Sequence, residues 1–206
     1  MTRWAPDAAR RLHAAALELF LDHGFSATTV PQIAERAGLT TRSFFRYYAD
    51  KREVLFAGEE ELPGVVEQIF DEADPSLTPM EVIHTGLRTV VIPRLQQFRD
   101  EFLIRRAIVD SDEGLREREL RKLAILHTAA TAAFTRRGLS PLDANLSGRL
   151  AVTVYDTTLD LWLDDDGTAH LETILENVIR ALTRTAASGD QERGLDETAP
   201  DIASSV

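Results

Sequence analysis

Residues 37–48 read AGLTTRSFFRYY: one glycine, two threonines, two arginines and four aromatics in a turn and one short helix. The segment before it, VPQIAERAG (residues 30–38), has Pro31 in its first turn, where a missing N–H costs nothing, and ends at Gly38. Two short helices joined by GLT have the size and punctuation of a helix-turn-helix. Ile33, Ala34, Ala37, Leu39, Phe44 and Tyr48 take the inward face, and the small alanines allow a close crossing. Thr41, Arg42, Ser43, Phe45 and Arg46 are left on the outward face, flanked by Tyr47 and Lys51. That edge is cationic and hydrogen-bonding, suited to the major groove of DNA.

Working outward, residues ~7–23 set Leu12, Ala16, Leu19 and Phe20 at helical spacing. Gly24 then caps that helix, Phe25 folds back on its last turn, and Thr28 or Thr29 caps the next. Thr40 or Thr41 caps the third helix, and a fourth is predicted from near Asp50 to about Phe70, with a bend at Gly64. Further helices are predicted at ~78–97, kinked by Pro93, and at ~99–110, ~114–137, ~143–163 and ~168–187. No strand pattern competes, so the fold class is all-α. The run LRERELRKL (residues 115–123) reads as a salt-bridged face turned to solvent. From Ser188 the chain is polar and acidic, a disordered tail in composition.

The chain has 206 residues, 44% of them hydrophobic, enough to build a core without staples. It has no cysteine, which excludes disulfides and thiolate chemistry and fits a reducing cytoplasm. No stretch approaches the ~20 apolar residues of a bilayer span, and no secretory signal is expected. A net charge of -11 opposes nucleic-acid binding on average, but the charge is uneven. Residues 1–56 carry 8 Lys and Arg against 6 Asp and Glu, net +2; the other 150 carry 15 against 28, net -13.

The segment TTVPQIAERAGLTTRSFFRYYADKREVLF, preceded by AARRLHAAALELFLDHGF, resembles the DNA-binding domain of TetR-family (tetracycline-repressor-like) transcriptional regulators. The shared pattern is a helix, Gly-Phe, Thr-Thr, Ile-Ala, Ala-Gly, a short aromatic-rich helix and a lysine before the next. The resemblance covers residues ~7–56. It implies an N-terminal helix-turn-helix domain (1–56), a ligand-binding and dimerisation bundle (57–187), and the tail (188–206). It implies a dimeric repressor released from a palindromic operator by a small, largely apolar ligand.

By resemblance, Thr29 sits at a phosphate, Thr41, Arg42, Ser43 and Arg46 reach base edges, and Tyr47 and Lys51 hold the DNA backbone. Phe45 stands where many members have tyrosine and acts by packing; Pro31 replaces a residue that is often polar. Arg3 is a candidate for the minor groove. The dimer interface falls to Leu146, Leu150, Val154, Leu161, Leu171, Ile174, Leu175, Val178 and Leu182. The candidate ligand-site residues are His84, Phe98, Phe102, Ile108, His127, Phe134, Tyr155 and Trp162. The fourth helix is the expected lever between ligand and DNA.

No enzyme site, cofactor or metal is expected. A helical-bundle metal protein is the competing class, because Glu81 and His84 lie one turn apart. A second Glu-x-x-His is lacking. The DDDG run (residues 164–167) hints at a calcium loop but lacks its ligand spacing.

Overall fold

The computed structural model describes residues 7–191, among which eleven α-helices follow one another with no strand. They are α1 (Asp7–His23), α2 (Val30–Arg36), α3 (Thr41–Phe44), α4 (Lys51–Leu55), α5 (Leu62–Glu72), α6 (Pro79–Gly86), α7 (Ile92–Leu95), α8 (Arg99–Asp110), α9 (Glu113–Arg136), α10 (Pro141–Asp164) and α11 (Leu171–Gln191). The chain divides into two compact units, residues 1–152 and 153–206. Arg3 and residues 192–206 lie outside the described residues, while α11 runs on past Ser188 to Gln191.

In the first unit, α1 ends as its glycine dictates. Gly24 takes φ +82°, its N–H closes onto Phe20 O at 2.9 Å, and the Phe25 ring returns to 5.1 Å from that of Phe20. Thr28 is buried, its hydroxyl donating to Gly24 O (2.9 Å) and Leu19 O (3.1 Å), so Thr29 becomes the N-cap of α2. One core then joins Leu12, Phe20, Phe25, Ile33, Phe44, Val54 and Phe56 to Ile108 and Val109 of α8 and Leu115 of α9. The boundary at residue 56 therefore separates sequence motifs and not hydrophobic cores.

Three expectations change. The fourth helix is not continuous to Phe70: α4 stops at Leu55, Gly58 takes φ +89°, and a 3-10 turn over Glu59–Glu61 leads into α5. The left-handed glycine breaks the helix, whereas Gly64 sits within α5 without ending it. Ahead of Pro93 lies a π-helical turn over Leu87–Val91, in which the Ile92 N–H reaches back five residues to Leu87 O. That wider turn makes room for a ring that lacks an N–H and crowds the preceding carbonyl.

The third change concerns LRERELRKL. Leu115, Arg118, Glu119 and Lys122 share one face of α9, and that face turns inward: Lys122 is only 5% exposed. Glu119 accepts from Lys122 and from Arg105 of α8, and Arg118 contacts Glu59 (3.5 Å) and Glu53 (3.2 Å). Arg105 also donates to Leu55 O at 3.0 Å. Its guanidinium and that of Arg118 lie 4.9 and 5.5 Å from the centroid of the Phe56 ring. The break after α4 is thus gripped by charges from α8 and α9.

Burial alone would raise the Glu119 carboxyl, but the Lys122 and Arg105 charges beside it win and hold it below the ordinary range. For Glu59 burial wins over Lys122, Arg105 and Arg118, and its carboxyl is raised. Lys122 is lowered, by burial first and by Arg105 second.

In the second unit, Val154, Leu159, Trp162, Leu163, Leu171, Ile174, Leu175 and Val178 are buried. The turn between α10 and α11 uses the acidic run for its own backbone. Asp165 Oδ2 accepts from the N–H of Gly167 (2.8 Å) and of Ala169 (2.9 Å), and Asp166 Oδ1 from that of Thr168 (3.1 Å).

Two outcomes test this packing. A Cβ on Gly148 of α10 would lie 2.3 Å from Thr131 Oγ1 and 3.1 and 3.2 Å from the backbone Thr131 N and His127 O of α9. Gly148→Ala therefore lowers stability in denaturant melts by about 1–3 kcal/mol, despite a helix-propensity gain of about 1 kcal/mol. Because the Glu119 carboxyl is depressed, its stabilisation is present above the unfolded value near ~4.3 and is lost as pH falls through the lower folded value. Glu119→Gln leaves Lys122 buried without its partner and destabilises by up to about 3 kcal/mol at neutral pH. The gap in melting temperature to the wild type narrows below pH ~4.

Candidate nucleic-acid interface

Gly38, at φ +65°, makes the turn between α2 and α3, with Gly38 N–H on Glu35 O (2.9 Å) and Leu39 N–H on Ala34 O (2.8 Å). Arg11 of α1 donates to Ala37 O and so caps the end of α2 from outside the pair. Thr40, and not Thr41, is the N-cap of α3: its hydroxyl oxygen accepts the Ser43 N–H at 3.1 Å. Beyond Phe44 the helix tightens. Tyr48 N–H still reaches Phe44 O (3.1 Å), but Arg46 N–H and Tyr47 N–H close onto Ser43 O (3.3 Å) and Phe44 O (2.9 Å), three residues back. Asp50 starts α4 by accepting the N–H groups of Arg52 (2.7 Å) and Glu53 (3.0 Å).

Phe44 has no exposed surface, and its ring meets Phe45 at 5.5 Å and Tyr48 at 5.6 Å. With Phe44 inward, Arg42, Phe45 and Arg46 come out together with the half-buried Thr41 and Ser43. Arg42, Ser43, Phe45 and Arg46 border one open groove. Phe45 is 56% exposed, and Arg42 makes no hydrogen bond or ion pair among the described residues. Arg46 donates to Tyr47 Oη at 3.0 Å and lies 4.9 Å from the centroid of that ring. Ser43 Oγ shares a hydrogen with Thr40 Oγ1 at 3.0 Å.

The flanking residues differ from one another. Thr29 is exposed, and its N–H and hydroxyl both donate to Gln32 Oε1 at 2.8 Å. Tyr47 is half-buried against the core shared with α1 and α4. Tyr48 turns inward and donates to Ala9 O at 3.2 Å; burial, then the nearby Glu60, raises its hydroxyl. Lys51 also points inward, its ammonium donating to Phe25 O (2.6 Å), Ser26 O (3.3 Å) and Thr28 O (2.9 Å). Burial lowers its pKa against the opposing charge of Asp112.

The ligand-site candidates do not form one group. Ile108 is buried in the core it shares with α1, α2 and α4. Phe134 is buried, its ring edge-on to Phe70 at 4.8 Å, and Phe98 is exposed. His84, Phe102 and His127 are half-buried in the first unit, and the buried Nε2 of His127 has no hydrogen-bond partner among the described residues. Tyr155 and Trp162 belong to the second unit.

Of the candidate dimer residues, Val154, Leu171, Ile174, Leu175 and Val178 are buried within the single chain, where ordinary core packing already covers them. Leu150 and Leu182 are half-buried; Leu146 and Leu161 are exposed, and Leu142 joins them. Glu81, weighed as a metal ligand, instead accepts the N–H (2.8 Å) and hydroxyl (2.7 Å) of Thr78 in a capping box at the start of α6.

Sequence reasoning missed the inward charges of α9. The signal was present: Leu115, Arg118, Glu119 and Lys122 follow the i, i+3, i+4, i+7 spacing of a single helix face. Their partners Glu59 and Arg105 are remote in sequence, which hides the pairing.

Residues 12–57 match the family described as bacterial regulatory proteins, tetR family. MftR of Mycobacterium tuberculosis, provisionally named a mycofactocin biosynthesis transcriptional regulator, is 31% identical over 72 residues, 35% of this chain and 36% of that protein. The HTH-type transcriptional regulator TcmR of Streptomyces glaucescens is 56% identical over 39 residues, 19% of this chain and 17% of that protein. The chain thus aligns with well under half the length of either curated relative. In fold it is similar to Thermus thermophilus FadR, a TetR-family transcriptional repressor solved with lauroyl-CoA. The TM-score is 0.56 at 22% identity, over 96% of this chain and 100% of that one. No helix among the described residues is long and apolar enough to cross a membrane. The family match thus covers the helix-turn-helix and its surrounding motif, residues 12–57, and the likeness over the rest of the chain is one of fold.

Proposed function

We propose that the chain is a sequence-specific DNA-binding repressor that acts as a homodimer in the cytoplasm, with residues 1–56 reading DNA and 57–187 binding ligand and partner. The observation that carries this reading is the exposure of Phe45 on a face with Arg42 and Arg46. A large aromatic kept out of the core beside two guanidinium groups suits the floor of a major groove, where rings pack on thymine methyls and arginines meet guanine. Thr41, Ser43 and Arg46 join Arg42 at base edges, Tyr47 holds a phosphate, and Thr29 sits where a phosphate approaches α2.

A single module has a small footprint, so two copies reading a two-fold symmetric site supply the affinity. Exposed Leu142 and Leu146 with half-buried Leu150 in the first unit, and exposed Leu161 with half-buried Leu182 in the second, are apolar side chains open to a second copy. In the first unit, half-buried His84, Phe102 and His127 supply apolar surface and hydrogen-bonding nitrogens for a small, largely apolar ligand. The unpartnered Nε2 of His127 favours this role. T. thermophilus FadR was solved with lauroyl-CoA, a ligand that joins an apolar acyl chain to a polar coenzyme A. No catalytic role is assigned.

Selection of duplexes from a random pool by the purified protein, followed by sequencing, enriches one two-fold symmetric motif; a folded sample that enriches nothing overturns the reading. On the selected operator, Arg42→Ala costs about 1–3 kcal/mol and relaxes preference at one position in each half-site. Equal loss on every sequence would remove Arg42 from base reading.

A further inference from the structure

We propose that Lys51 is a positioning residue for DNA binding and not a phosphate contact: its ammonium locks the α1–α2 connection onto α4 and so sets the pose of the reading pair α2–α3. The proposal rests on the DNA-binding reading above and revises the part Lys51 would play in it.

An ammonium has three donors and no acceptor. At Lys51 three carbonyls converge on it, Phe25 O at 2.6 Å, Thr28 O at 2.9 Å and Ser26 O at 3.3 Å, so every donor is matched inside the protein. The charge also lies 4.3 Å from the centroid of the buried Phe25 ring, which itself packs on Phe20 of α1. A phosphate contact would need the side chain to leave three carbonyls and a ring face at once. Those carbonyls would then lack a donor in a connection that has only five residues between Gly24 and α2.

The held segment is a junction. Its Thr28 hydroxyl bonds back to α1, and its Thr29 is the N-cap of α2. Its Ser26 hydroxyl meets Asp112 Oδ2 at 3.4 Å, and Asp112 is also the N-cap of α9, accepting the Leu115 N–H at 3.1 Å. Fixing this segment therefore fixes α2 against α1, α4 and the start of α9 together. Because α3 follows α2 after only four residues, its outward face follows the same constraint.

The test compares Lys51→Gln and Lys51→Arg with the wild type on the selected operator across a salt series. A lost phosphate contact lowers the slope of log affinity against log salt by about 0.9. The positioning role leaves that slope unchanged while Lys51→Gln weakens binding by about tenfold, equivalent to about 1.4 kcal/mol. Arginine separates the roles again, because a planar fork serves a phosphate well but cannot reproduce a tripod of donors aimed at three carbonyls. The expected result is loss of affinity in both variants at constant slope. Faster amide exchange at residues 28–30 of free Lys51→Gln is expected as well, a readout available even where a variant is too unstable for titration. A slope reduced by about 0.9 in Lys51→Gln, or full affinity in Lys51→Arg with wild-type amide exchange in Lys51→Gln, overturns the proposal. If the wild type retains no DNA, the DNA-binding reading fails; the amide-exchange result still decides whether Lys51 holds the connection.

Discussion

The burial of Phe44 is the constraint on which the reading face depends. A helix of little more than one turn has no stability of its own and takes its orientation from what it packs against. With Phe44 wholly enclosed by α1, α2 and α4, Arg42, Phe45 and Arg46 have nowhere to go but outward. The Thr40 cap and the tightened turn after Phe44 shorten the helix to the span the core controls. The outward groups are thus presented by a rigid element, which lowers the ordering cost of binding.

A second constraint lies at the break after α4, where Arg105, Arg118, Glu119 and Lys122 close around Phe56 and Glu59. A buried ionic cluster is weak evidence for net stability, since desolvation consumes most of its Coulomb energy. Its strength is intolerance of rearrangement: displacing one member leaves another charge buried and unpaired. Glu59 and Glu119 show both sides of this balance, for burial wins at the first and neighbouring charge wins at the second. Such a joint has few intermediate positions.

The head was legible in the sequence because its signals are local. Gly24 and Gly38 end helices, Pro31 begins one, and the period of Ile33, Ala34, Ala37 and Phe44 gives the inward face. The apolar faces of α10 and α11 were legible too, but not which of their residues the chain's own core buries. Val178 and Leu146 look alike as sequence, and one is buried within the chain while the other is 51% exposed. The inward turn of Lys51 and of Lys122 was hidden for a related reason. A lysine reads as a solvent cation until its carbonyls or carboxylates are brought to it by contacts remote in sequence.

The same separation of local from global decides what the acidic composition means. A net charge of -11 repels a polyanion at long range, yet at physiological ionic strength charges are screened beyond about 8 Å. Contact with DNA is then governed by the charges within that distance of the groove, and on the reading face these are Arg42 and Arg46. The excess of 13 negative charges over residues 57–206 opposes long-range encounter with a polyanion and not contact at the groove. Acidity in the body and a short cationic edge in the head are therefore compatible with one binding mode.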